Sequence, residues 1–162
     1  MKTSDSIFLR ALNKESLKIP PIWYMRQAGR YMPEYRAVRR KFKNFLDMCK
    51  NPEVCCELAL QPISAFNLDA SILFSDILTI PDAFGLGVEF LEGEGPVFNN
   101  PIKTSKDITN LPEFNPEDLS YVYKAVFNIK SVLPSDIPLI GFCGSPWTLA
   151  AYSIEGKSSK DF

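Results

Sequence analysis

Histidine is missing from all 162 residues. The four cysteines, Cys49, Cys55, Cys56 and Cys143, show no Cys-x-x-Cys spacing, so the usual ligand sets of a zinc site are not available. No apolar run approaches the roughly 20 residues that cross a bilayer, which argues against a membrane-spanning helix. The amino terminus, MKTSDSIFLRALNKES, lacks the long apolar core and small-residue cleavage site of a signal peptide. A cytoplasmic protein with reduced, mostly buried thiols is therefore expected.

What is present is an ordinary globular composition, 46% hydrophobic and 23% charged, of about one domain's length. The net charge of −1 conceals a split. Residues 1–50 hold 12 Lys and Arg against 4 Asp and Glu, a net of +8, whereas residues 51–162 hold 6 against 15, a net of −9. A basic end suits nucleic acid, a membrane surface or an acidic small molecule.

The pattern along the chain is one of short apolar runs alternating with amphipathic helices. Ser4 or Ser6 can cap a first helix through Ile7, Leu9 and Leu12. Residues 22–25 read as a buried strand that empties into Arg26-Gln-Ala-Gly-Arg30, after which Pro33-Glu34 opens a helix. Asn44 can cap a turn, and Asn51-Pro52-Glu53 starts a helix that keeps its spacing to about Phe66. Residues 70–74 form a second strand candidate ending at Ser75-Asp76, followed by a short helix or turn closed by Gly85. Residues 88–91 and 96–98 suggest a surface hairpin outside the core. A further helix runs from Asn115-Pro116-Glu117 to Pro134, residues 138–143 form a third strand, and a last helix spans Trp147 to Ile154. This βα repetition implies a parallel sheet. A closed (β/α)8 barrel needs about 250 residues, with about 200 a minimum, so the chain suits a small open α/β domain or roughly half of a barrel.

In such folds the strand ends converge on one face. Here they deliver Arg26 and Arg30, then Ser75 and Asp76, then Gly144-Ser145, with Tyr152 one helix further on. Two guanidinium forks, an acid and a phenol make a coherent site for a polyanion that also offers hydrogen-bond donors. Each also has a structural reading: the arginines as surface ion pairs, Asp76 as the cap of the turn at Ile77, Tyr152 as a core tyrosine with its hydroxyl outward. The basic run Arg36, Arg39, Arg40, Lys41 and Lys43 reads either as a nucleic-acid arm or as a solvated helix face. Its single aromatic, Phe42, favours the solvated face.

Residues 23–35, WYMRQAGRYMPEY, resemble the amino-terminal signature of the uroporphyrinogen decarboxylase family. Residues 72–81, ILFSDILTIP, and 141–152, GFCGSPWTLAAY, are similar to two more segments of that family in the same order. The resemblance implies a (β/α)8 TIM barrel, of which this chain covers roughly the first half as the amino-terminal portion of a single domain. It implies a homodimer that uses no cofactor and converts uroporphyrinogen III to coproporphyrinogen III by removing carbon dioxide from four acetate arms. It further implies a substrate loop of Arg26, Gln27, Ala28, Gly29 and Arg30, an acid at Asp76 and a phenol at Tyr152, with no metal, nucleic acid or membrane involved. Family members are roughly twice as long, and their second half brings a serine or threonine and a histidine to the site. This chain alone is accordingly expected to be inactive, at most binding a porphyrinogen.

Overall fold

The computed structural model describes residues 5–25, 31–91 and 95–157. Ser6 caps helix α1 (Ile7–Leu12), its Oγ accepting from Leu9 N at 3.4 Å. Pro33 opens α2 (Pro33–Arg39), and α3 (Phe45–Cys49) follows from Asn44, whose amide donates to Asp47. Asn51 Oδ1 accepts from Val54 N at 3.0 Å and starts α4 (Pro52–Ala65), as the cap–proline–acid spacing predicts. Strand β1 (Ser71–Ile72) leads through residues 73–78 into α5 (Thr79–Ala83), and Gly85, at φ +75°, turns the chain after it. Then come β2 (Val88–Leu91), β3 (Gly95–Phe98) and α6 (Ser105–Thr109), opened by a Thr104–Asp107 capping box. A 3-10 turn, Pro116–Leu119, runs into α7 (Ser120–Val132), followed by β4 (Leu139–Ile140) and α8 (Pro146–Glu155).

β1 and β4 pair in parallel, with Ser71 opposite Leu139 and Ile72 opposite Ile140. Flanking backbone bonds from Ser71 N to Pro138 O and from Leu73 N to Ile140 O, each 2.9 Å, continue the ladder. The connection between them carries α7, so the unit is a parallel βαβ crossover with a hairpin inserted before its helix. α4 and α7 cover one face of this sheet. Cys55 and Ala59 of α4 meet Ala125, Ile129 and Leu133 from the α7 end, over Leu73 and Leu139. Ile129 is completely buried there, and truncating it to alanine is expected to cost about 2–5 kcal/mol in urea unfolding.

A second apolar cluster joins α2, α3 and α4 through Met32, Tyr35, Val38, Met48 and Leu58, with Phe74 packed against it. A third, Leu46, Leu78, Leu86, Val88 and Phe98, lies past the carboxyl end of β1. The hairpin β2–β3 therefore departs from the surface role that its sequence suggests. Its alternation is one-sided, with Val88 buried and Glu89 exposed, and its two ends, Val88 and Phe98, pack under α5 and α8.

Residues 22–25 also differ from expectation. They form no strand, and Ile22, Tyr24 and Met25 are 43%, 66% and 75% exposed. Pro20 and Pro21 bring no N–H donors to a ladder. The segment is held to the start of β1 at one position: Ile22 N donates to Asp69 Oδ2 at 2.6 Å, and Asp69 N donates to Ile22 O at 2.9 Å. One such pair fixes where the segment lies without continuing the sheet.

The α8 end is stitched to the hairpin. Phe98 N donates to Gly156 O, Ile102 N to Ser153 O, and the Lys103 ammonium to the carbonyls of Ile154 and Glu155. Gly156 caps α8 at φ +81°, and a Cβ there would meet Pro101 Cβ at 2.9 Å. Gly156→Ala combines left-handed strain with a clash and is expected to cost about 2 kcal/mol or more in thermal unfolding.

Candidate functional site

β1 ends where Phe74, Ser75 and Asp76 follow it, and the half-buried Asp76 closes a tight turn. Its Oδ1 accepts from Leu78 N at 2.8 Å, which sets the entry into α5. Burial pushes the Asp76 carboxyl above the usual carboxylate range, and the Leu78 N–H pulls it part of the way back. Asp76 is thus both the turn cap and a partly desolvated acid.

The loop after β4 comes to the same place. A Cβ on Gly144 would stand 3.4 Å from Ile77 Cβ, so the two strand-end loops touch one residue beyond Asp76. Ser145, offered by the sequence as part of the site, is engaged as a helix cap. Its Oγ accepts from Thr148 N at 3.2 Å and lies 3.0 Å from the Thr148 hydroxyl. Tyr152, two turns further along α8, packs with Ile77 and Leu149 against the cluster containing Leu78. The Gly144 loop thus meets the chain one residue beyond Asp76, and Tyr152 packs on the same apolar cluster as Ile77. Arg26, Gln27, Ala28, Gly29 and Arg30 lie outside the described residues. Their neighbours are anchored beside β1: Ile22 is bonded to Asp69, and the Tyr35 ring lies 6.2 Å from the Phe74 ring, centroid to centroid.

Several groups around this region gave no signal in the sequence. Lys50, at the end of α3, pairs with Asp82 of α5 at 2.6 Å, fixing the helix that begins at the Asp76 turn. The pair borders a polar cleft of about 110 Å³ lined by Asn44, Asp47 and Glu89 among others. Tyr121, half-buried at the start of α7, has its phenol pushed up to about 12 by burial first and then by the charges of Asp82, Cys49, Asp76 and Cys55. Such residues are invisible to pattern reading because their partners are distant in sequence.

The cysteines divide by burial. Burial drives Cys49 upward and raises Cys55 to about 12, while Cys143 is exposed on the β4 loop. Cys143 is expected to react first with iodoacetamide at pH 8, whereas Cys49 and Cys55 react only on unfolding, as peptide mass mapping would show. Among the described residues no three His, Cys, Asp or Glu side chains gather as a metal site, and no helix is long and apolar enough to cross a membrane.

An α/β chain with a half-buried acid at the end of one parallel strand, next to the loop that follows its neighbour, has the layout of an α/β enzyme site. Residues 3–162 match the family model for uroporphyrinogen decarboxylase, and the chain belongs to that family. It is 57% identical over 158 residues to the uroporphyrinogen decarboxylase of Francisella philomiragia, covering 96% of this chain and 45% of that one. The Legionella pneumophila protein of the same name is 58% identical over 161 residues, covering 98% and 46%. That of Acinetobacter baumannii is 58% identical over 156 residues, covering 96% and 44%. The chain thus spans about half the length of the curated relatives it matches. A methyltransferase from Methanosarcina mazei shares its fold at a TM-score of 0.68 and 18% identity, over 95% of this chain and 46% of that one.

Proposed function

We propose that these residues are the first half of a (β/α)8 barrel, a single domain that decarboxylates uroporphyrinogen III to coproporphyrinogen III. The observation that carries this reading is Asp76: a half-buried acid at a strand end, one residue before the contact with the Gly144 loop, in a chain of this family. Each acetate arm, R–CH2–COO−, takes up one proton and leaves as R–CH3 and carbon dioxide. The electron pair of the breaking C–C bond needs a sink, and a pyrrole protonated on carbon supplies one. Asp76 accepts the inward pyrrole N–H donors and stabilises that cation as it develops. Burial costs the Asp76 carboxylate more than the Leu78 N–H repays, and a ring of further N–H donors offsets this cost.

Arg26 and Arg30 hold carboxylates in bidentate fashion, Gln27 and Ala28 complete the loop, and Gly29 lets its backbone approach the ligand. Tyr152 supplies a phenol. The +8 charge of residues 1–50 suits an octa-anionic substrate. The absence of a cofactor, the homodimer and a reducing cytoplasm, which suits four free thiols, belong to the same proposal. The test is a chimera of residues 1–162 joined to the carboxy-terminal half of the Francisella philomiragia relative, assayed anaerobically. Stepwise loss of carboxylates is the expected result. A folded chimera without turnover would overturn the reading.

A further inference from the structure

Asp76 closes the turn into a helix too short to hold its own place. α5 has five residues, Thr79–Ala83, and its N-cap, Leu78, makes no side-chain cap. A helix of this length is marginal without tertiary support. Leu78 is 2% exposed, so water cannot stand in for its backbone partners. Its N–H donates to Asp76 Oδ1 at 2.8 Å, and its carbonyl accepts from Asp82 N at 3.0 Å. One buried residue therefore ties the acid to Asp82 through two hydrogen bonds.

Asp82 in turn is held from outside α5. Its Oδ2 pairs with Lys50 Nζ at 2.6 Å, and its Oδ1 accepts a long bond of 3.5 Å from Val88 N of β2. After burial, it is the first of the charges that raise the Tyr121 phenol at the start of α7. α3, α5, β2 and α7 thus come together around one carboxylate. Leu46 and Leu78 share an apolar cluster that also joins α3 to α5, but apolar packing is non-directional. The ion pair is what sets the register of one helix on the other. Asp76 itself is shifted by burial and by the Leu78 N–H, so the link from the pair to the acid runs through the backbone.

Resting on the reading of Asp76 as the acid of the decarboxylation site, we propose that Lys50 and Asp82 are positioning residues for it. The pair pins α5, and Leu78 passes that constraint to the Asp76 carboxylate. Displacement of a reacting group by about 1 Å is enough to cost up to about 10²-fold in rate.

The test reads kinetics in the chimera of residues 1–162 and hydrogen exchange in the 162-residue chain. Lys50→Met is expected to lower kcat about tenfold or more while KM changes less than about twofold. Asp82→Asn, whose amide oxygen can still accept from Val88 N, is expected to do the same. The double variant should be no worse than either single one, because both remove one interaction. Lys50→Arg keeps the pair and restores kcat. In parallel, peptides spanning residues 76–83 should exchange about tenfold faster in Lys50→Met, with α7 unchanged and Lys50→Arg like the wild type. Lower stability with unchanged kcat would make the pair a structural tie only and overturn the proposal. Unchanged exchange over residues 76–83 also overturns it. A folded wild-type chimera without turnover counts against the decarboxylase reading alone, and the exchange of residues 76–83 then decides whether the pair holds the Asp76 turn.

Discussion

Asp76→Asn is expected to abolish most turnover while leaving the fold at least as stable as the wild type at pH 7. The asparagine Oδ1 can still accept the Leu78 N–H that closes the turn, so the entry into α5 is kept. What is lost is the charge. Burial holds the folded carboxyl above its unfolded value, so the folded state keeps its proton more tightly. The stability this group contributes is complete below the unfolded carboxyl range near about 4 and is lost as pH rises through the higher folded value. At pH 7 the wild type bears a half-buried carboxylate and the variant does not. The variant should melt at the same temperature or higher at pH 7, with the difference closing towards pH 4. In the chimera, turnover should fall by about 10²–10³-fold, the usual effect of removing one electrostatic partner of a transition state. Thermal unfolding at both pH values and an anaerobic assay measure the two effects separately. Retained turnover with reduced stability would make Asp76 a structural cap and nothing more.

Gly144→Val should separate the two strand-end loops. A Cβ at this position already falls 2.5 Å from Leu149 Cδ2 and 3.0 Å from Leu149 Cγ, with Ile77 Cβ at 3.4 Å. For alanine, rotation of Leu149 relieves part of the contact. Valine adds branches towards both Leu149 and Ile77, and the loop itself must move. Overpacking of this kind costs about 1–3 kcal/mol. Leu149 and Ile77 belong to the cluster that seats Tyr152, so the displacement reaches both Asp76 and the phenol. The expected outcome is a lower urea midpoint, together with a loss of porphyrin binding, read by fluorescence quenching, larger than the stability loss explains. Gly144→Ala should fall between. A valine variant with lowered stability but native binding would show that the loop contact does not shape the site.

Much of this was legible in the chain because the signals are local. Asn51-Pro52-Glu53 and Asn115-Pro116-Glu117 mark helix starts through side chains that cap donors two or three residues away. Gly156 ends α8 because only glycine takes φ +81° without strain. The apolar spacing of α4 and α7 identifies the faces that meet over β1 and β4. Residues 22–25 were misread for an equally physical reason. An apolar run shows that a segment can be buried, but a strand also needs a partner along its length, and this one meets Asp69 at a single position. The hairpin was misread because four-residue alternation does not reveal what lies above its apolar face.

The sequence by itself determined the longer helices, the family and the identity of the candidate acid, because capping, periodicity and signature residues act over a few positions. Only the tertiary structure decided which of those residues stand together. It placed Gly144 against Ile77, engaged Ser145 as a cap, and paired Lys50 with Asp82 across 32 positions of chain. It also buried Asp76 enough to raise its carboxyl. Contacts between distant residues and the desolvation of a charge depend on how the elements pack, and no local pattern encodes them.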